Sequence, residues 1–214
     1  MKQKIILHSL VLAAAALGLT LSARAETTAD ATTAASPTSL GLLGQAYAGL
    51  TYSYVHPGNS PVSSDRYGFE YNQPLAAGFD AAFAYDRTQA GLLAGDRGYA
   101  QSLDAVLRAF RPGDDRIKPY IEAGIGFDRM KFAGVKDDSF AWIAGAGVEF
   151  QVAPAVTVTP YVRYTRTNGF ADRNTGELGV KANYWVTKQL ALTAGLGRDD
   201  AQNTSYKLGI NVRF

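Results

Sequence analysis

The sequence predicts an all-β protein, a closed antiparallel transmembrane β-barrel of ten strands. Three observations carry that prediction. Beyond residue 41 the chain divides into segments of about ten residues that alternate apolar with small or polar side chains. Each segment keeps charge off one of its two faces. No run after Leu21 approaches the ~18 consecutive apolar residues of a membrane helix, so a crossing has to be made with strands.

The chain opens differently. Lys2 and Lys4 precede an almost wholly apolar run from Ile5 to Leu21, and Ala23-Arg24-Ala25 is a small-x-small cleavage site. Residues 1–25 therefore read as a signal peptide cut after Ala25, and the shortness of the apolar run disfavours a permanent helical anchor. Removal of Lys2, Lys4 and Arg24 leaves 18 of the 21 basic residues against 19 acidic ones, so the net charge of +2 becomes −1. No nucleic-acid partner is implied by that balance. There are no cysteines, which excludes disulfides and thiolate metal sites. Residues 26–41 are rich in Thr, Ala and Ser up to Leu40 and read as a flexible tail, with the barrel expected over 42–214.

Strands are read at 43–55, 65–73, 78–87, 98–110, 117–130, 139–151, 155–167, 176–186, 189–198 and 204–214. The connections alternate between long (56–64, 88–97, 131–138, 168–175, 199–203) and short (74–77, 111–116, 152–154, 187–188). Short turns on one side and longer loops on the other are the pattern of transmembrane barrels. In chain order the uncharged face carries Leu50, Tyr52 and Tyr54, then Tyr67, Phe69 and Tyr71, then Phe79, Phe83 and Tyr85, then Leu103 and Leu107. It continues through Ile121, Ile125 and Phe127, then Phe140, Trp142 and Phe150, then Val158, Val162 and Tyr164. Leu178, Val180 and Tyr184 follow, then Leu192 and Leu196, and finally Tyr206, Leu208, Ile210, Val212 and Phe214. The opposite face holds Arg66, Glu70, Asp80, Asp86, Asp104, Arg108, Lys118, Glu122, Asp128, Glu149, Arg163, Lys181, Lys207 and Arg213.

Periodicity alone does not say which face is inside, since a soluble ligand-binding barrel would turn the apolar face inward. Three features favour lipid outside. Aromatic residues of the uncharged face gather near strand ends, as at the two interfaces of a bilayer. Glycines crowd the charged face, where a narrow interior needs room opposite large side chains. The last strand ends on an aromatic of the apolar face, Phe214. Each Arg or Lys placed on the lipid face at mid-membrane would cost about 2–4 kcal/mol, which accounts for their absence there.

Little in the chain points to chemistry. His56, the single histidine after the leader, falls past the first strand, with Asp86 and Asp128 near the same rim on the inward face. A solvated imidazole and interior ion pairs explain them without catalysis. Gly124-x-Gly126 and Gly145-x-Gly147 lie within strands with no following helix, so they are not phosphate loops. Asp137-Asp138 and Asp199-Asp200 supply too few ligands for a divalent cation. No cofactor is expected. Interior charges of equal number, seven of each sign, suggest a network of ion pairs that plugs or nearly plugs a narrow lumen. Arg87, Arg129, Arg166 and Arg198 continue the lipid-facing phase just past the aromatic residues, where guanidinium groups could chelate lipopolysaccharide phosphates.

Several strands resemble a known family. Lys118-Pro119-Tyr120-Ile121-Glu122-Ala123-Gly124-Ile125-Gly126-Phe127 looks like the PY…GxG-aromatic strand of OmpA-like, porin-family outer-membrane β-barrel proteins. Phe140-Ala141-Trp142, Gly145-Ala146-Gly147-Val148-Glu149-Phe150 and Pro160-Tyr161-Val162-Arg163-Tyr164 are similar to the strands that follow it there. The closing stretch Tyr206–Phe214 resembles the C-terminal signal read by the outer-membrane assembly machinery, with Phe214 as its end. The resemblance covers about 42–214. It implies residence in the Gram-negative outer membrane, contact with its lipid and lipopolysaccharide, and eight strands as the alternative to ten. The peptidoglycan-binding domain of some relatives is not expected here. The expected role is structural or one of surface contact, without enzymatic activity. The alternative is a small porin passing water, ions or small solutes.

Overall fold

The computed structural model of the chain describes residues 41–58, 63–91, 97–113, 116–132, 135–168 and 173–214. The leader at 1–25 and the tail residues 26–40 lie outside them. Ten strands follow in order: β1 (Tyr47–His56), β2 (Ser64–Ala76), β3 (Phe79–Gly91), β4 (Arg97–Phe110), β5 (Ile117–Phe132), β6 (Val135–Ala153), β7 (Val156–Asn168), β8 (Arg173–Trp185), β9 (Leu190–Asp199) and β10 (Thr204–Arg213). Each pairs antiparallel with its sequence neighbours, and β1 also pairs with β10, so the sheet closes. The strand number is ten, not the eight of the alternative. Closure removes the sheet edges, whose unpaired N–H and C=O groups hydrocarbon cannot satisfy.

The pleat sorts the side chains by parity. Leu50, Ile121, Trp142, Leu178 and Leu208 are exposed on the outside, Ile121 and Leu208 at 65%. Ala82, Val106, Ala141, Ile143 and Trp185 point inward and are buried. Among the described outward positions named from the sequence, only Tyr71 is buried. None of the fourteen inward charges is exposed. An apolar belt running around the whole exterior is far larger than the patches a soluble protein leaves in water. The barrel is a transmembrane one.

We call the end bearing connections 57–63, 92–96, 133–134, 169–172 and 200–203 the upper end, and that bearing 77–78, 111–116, 154–155 and 186–189 the lower end. Outward aromatics ring the upper end in cross-strand contact. The rings of Tyr52 and Tyr67 lie 5.5 Å apart and those of Phe140 and Trp142 5.2 Å apart, while Tyr54 faces Tyr206 and Phe127 faces Phe140. Phe79 and Tyr184 are exposed near the lower end.

Several strand ends depart from the sequence reading, as where β3 runs on to Gly91 past the expected end at 87, and two departures bear on the site. First, β1 begins at Tyr47 and not at residue 43, because Gly44 takes φ +77°, a conformation that ends a strand. Gly41, counted with the tail, is buried together with Leu43. Second, the long loop expected at 131–138 is mostly strand: β5 and β6 continue past the aromatic ring, pairing Lys131 with Lys136 and Phe132 with Val135. Above the membrane the outward face no longer has to be apolar, so the alternation used to find strands disappears although the hydrogen bonds persist. At the lower end Gly78, at φ +82°, makes a tight turn, and its carbonyl accepts from Phe110 N at 2.9 Å.

Inward glycines face large side chains across the sheet. Gly147 pairs with Tyr120 and Gly179 with Tyr161. Each tyrosine ring lies 2.5–2.6 Å from where a Cβ would stand on its glycine, so only a residue without a side chain lets the ring lie down along the wall.

Candidate functional site

The lumen is the one place where the fold brings polar side chains together in number, and it is built in tiers. The lowest tier is a floor made by residues 41–46, which turn beneath the start of β1. Leu42 N donates to Glu149 Oε2 at 2.8 Å, and Gly44 N donates to Asp80 Oδ2 at 2.9 Å. Asn72 Nδ2 donates to Gln45 O at 2.9 Å and to Asp80 Oδ2 at 3.1 Å. Arg213 donates to Lys188 O at 2.7 and 3.2 Å and to Gly41 O at 3.4 Å, with its guanidinium 4.6 Å above the Trp185 ring. Asp80, Lys118, Glu149 and Arg213 are all buried. The expectation of ion pairs needs correcting for two acids: among the described residues the carboxylates of Asp80 and Glu149 accept from main-chain N–H groups and form no ion pair within 4.0 Å, while Arg213 donates to main-chain carbonyls.

Above the floor two clusters face each other across a cavity. On one wall Thr193 donates to Asn183 Oδ1 at 2.7 Å, while Asn211 Nδ2 donates to Thr193 Oγ1 at 2.7 Å and to Asn183 Oδ1 at 3.2 Å. This uncharged knot escaped the sequence reading, which followed charge alone; the inward parity of all three positions was the available signal. Opposite it, Arg108 donates to Glu122 Oε2 at 3.0 Å, Glu70 Oε1 at 3.1 Å and Tyr47 Oη at 3.3 Å. Tyr47 donates in turn to Glu70 Oε1 at 2.7 Å, and Lys181 Nζ stands 3.9 Å from Glu70 Oε2. Four strands are tied by this one guanidinium and its carboxylates. Hydrogen-bonded pairing is what makes buried charge tolerable.

The upper tier is looser. Arg163 reaches from β7 to Asp104 on β4 at 2.6 Å, and Tyr161 donates to Glu177 at 2.6 Å. Thr167 donates to Asp128 at 3.4 Å and Arg66 Nε donates to Thr88 at 3.2 Å. Glu177 was missed among the interior charges although its parity on β8 places it there; with it, interior acids exceed bases by one. Of the expected lumen set, Arg108, Glu70, Glu122, Lys181, Arg163 and Asp104 form ion pairs within 4.0 Å. Arg66 and Asp128 bond hydroxyls, and Asp86, Lys118 and Lys207 make no side-chain hydrogen bond or ion pair among the described residues.

On the outer surface, Arg87, Arg166 and Arg198 are exposed, with Arg87 5.7 Å over the Tyr99 ring. Arg129 is held by Asp138 in a two-pronged pair at 2.6 and 3.1 Å. Two further aspartates of the upper end are engaged locally: Asp199 accepts from Asn203 N at 2.8 Å and Asp200 from Gly176 N at 3.1 Å. His56 is exposed in the outward phase of β1, on the other side of the wall from Asp86 and Asp128. Among the described residues no group of three or more His, Cys, Asp or Glu side chains could hold a metal ion.

No protein-family model and no curated protein matches the chain. Solved structures of similar shape include the translocator domain of autotransporter NalP from Neisseria meningitidis, 13% identical at a TM-score of 0.49, covering 96% of this chain and 98% of that one. The outer membrane protein OprG from Pseudomonas aeruginosa is 11% identical at a TM-score of 0.44, covering 83% and 99%. Neisserial surface protein A is 15% identical at a TM-score of 0.42, covering 79% and 96%.

Proposed function

We propose that the chain is a non-enzymatic protein of the Gram-negative outer membrane, structural or surface-contacting, with a lumen closed at its periplasmic end. One observation carries the reading: the floor of residues 41–46, bonded to Glu149, Asp80, Asn72 and Arg213, with the Arg108 knot directly above it. Side-chain exposure falls from 34% at Lys181 through 23% at Glu70 and 13% at Arg108 to 7% at Glu122, so access to water diminishes toward the knot. In this reading the lower end faces the periplasm, the leader at 1–25 is removed on export, and Phe214 ends the signal for the assembly machinery. Arg87, Arg166 and Arg198 offer bidentate donors to lipopolysaccharide phosphates at the level of the head groups.

Planar-bilayer recording of the refolded mature protein tests it. The intact chain is expected to give no stable conductance, and large stable steps would reject closure in favour of a small porin. A variant lacking Gly41–Ala46 is expected to leak ions, because it removes the floor while leaving all ten strands. If that variant stayed as silent as the parent, the seal would have to be assigned to the Arg108 knot alone.

A further inference from the structure

The lumen holds a cavity that runs past Arg108 and Glu70 of the knot and whose lining also includes Thr51, Gly68, Asp86, Lys181 and Lys207. Strand register shows how it arises. Lys207 on β10 pairs with Ser53 on β1, which pairs with Arg66 on β2. One inward step lower, Gly209 pairs with Thr51, Thr51 with Gly68, and Gly68 with Asp86 on β3. Between Lys207 and Asp86 the wall carries only Ser53 and Thr51 on β1 and Gly68 beside Arg66 on β2, and the small residues leave a recess. Lys181 leans toward the same space from β8, since it and Lys207 both flank Gly195.

The charges at the two sides of this recess are uncommitted. Lys207 and Asp86 are each half-buried, and neither makes a hydrogen bond or ion pair among the described residues. The neighbouring groups that could neutralise them are engaged elsewhere: Glu70 by Arg108 and Tyr47, Glu177 by Tyr161, Asp104 by Arg163, and Arg66, the cation on the strand beside Asp86, by the Thr88 hydroxyl. A partly dehydrated ammonium and a partly dehydrated carboxylate face one cavity without closing on each other. Such a pair complements a molecule carrying both signs, because each end then regains a charge-assisted hydrogen bond lost on leaving water. A plain anion would satisfy Lys207 but meet Asp86, and a plain cation the reverse.

We infer that this recess binds a small zwitterion of the α-amino acid type, with its carboxylate at Lys207 and Lys181 and its ammonium at Asp86. The inference goes beyond the structural role proposed above and does not depend on closure of the floor. Calorimetric titration of the refolded, detergent-solubilised barrel tests it with L-alanine as the probe, and with acetate and methylammonium as its two halves. L-Alanine is expected to bind with a dissociation constant of millimolar order, and each half about tenfold or more weaker. Lys207→Met and Asp86→Asn should each weaken L-alanine about tenfold, while Lys207→Arg retains binding; heat-modifiable migration on gels verifies folding of all three. Three results would overturn the inference: no L-alanine binding up to about 50 mM, acetate binding as well as L-alanine, or binding indifferent to both charge-removing variants.

Discussion

Replacing Arg108 with methionine is expected to destabilise the refolded barrel by about 3–5 kcal/mol, the loss typical of removing one partner from a buried ion pair. Glu122 would lose its hydrogen-bond partner and Glu70 would keep only the Tyr47 hydroxyl and the distant Lys181 ammonium. Two carboxylates would then remain in a narrow lumen, and β1, β2, β4 and β5 would lose their common tie. Denaturant unfolding in bilayers measures the loss. A change below about 1 kcal/mol would mean that water screens the knot as it does surface pairs, and the closed lumen would have to be abandoned.

The second large effect belongs to the outer face. Ile210 pairs with Leu50 on β1 and Leu192 on β9, in the middle of the aliphatic belt. Ile210→Arg should cost about 2–4 kcal/mol in a bilayer, because the guanidinium would sit among acyl chains far from either interface. Val186, also exposed, lies just past the lower end of β8 in the outward phase of Tyr184. Val186→Arg should cost about 0–1 kcal/mol, since it stands at the interface. The contrast between the two positions, more than either value, reports the depth of the membrane; equal costs would contradict the belt.

The barrel wall was legible in the sequence because lipid imposes a rule on every strand: charge stays off one face. Where the rule lapses, so does the reading. Lys131, Lys136, Asp137 and Asp138 look like a loop, yet they belong to paired strands that have left the hydrocarbon. Parity sorts charges to one side of the wall, but parity is blind to who meets whom. Arg163 finds Asp104 across three strands and 59 residues of chain, a contact set by barrel closure and stagger. Arg213 donates to Lys188 O and to Gly41 O because Gly41, read as tail, folds beneath β1. The floor was invisible for the same reason: residues 41–46 present main-chain groups, and the sequence does not advertise those.

The central claim is that the uncharged face of every strand is bathed in acyl chains, and the chain's two tryptophans test it directly. Trp142 is 55% exposed on the outside, whereas Trp185 is 4% exposed and points to the axis. In vesicles of lipid brominated along the acyl chain, the fluorescence of Trp142 in a Trp185→Phe variant should be strongly quenched. That of Trp185 in a Trp142→Phe variant should be almost untouched. Strong quenching of Trp185 with Trp142 left bright would mean that the barrel is inside out relative to this account.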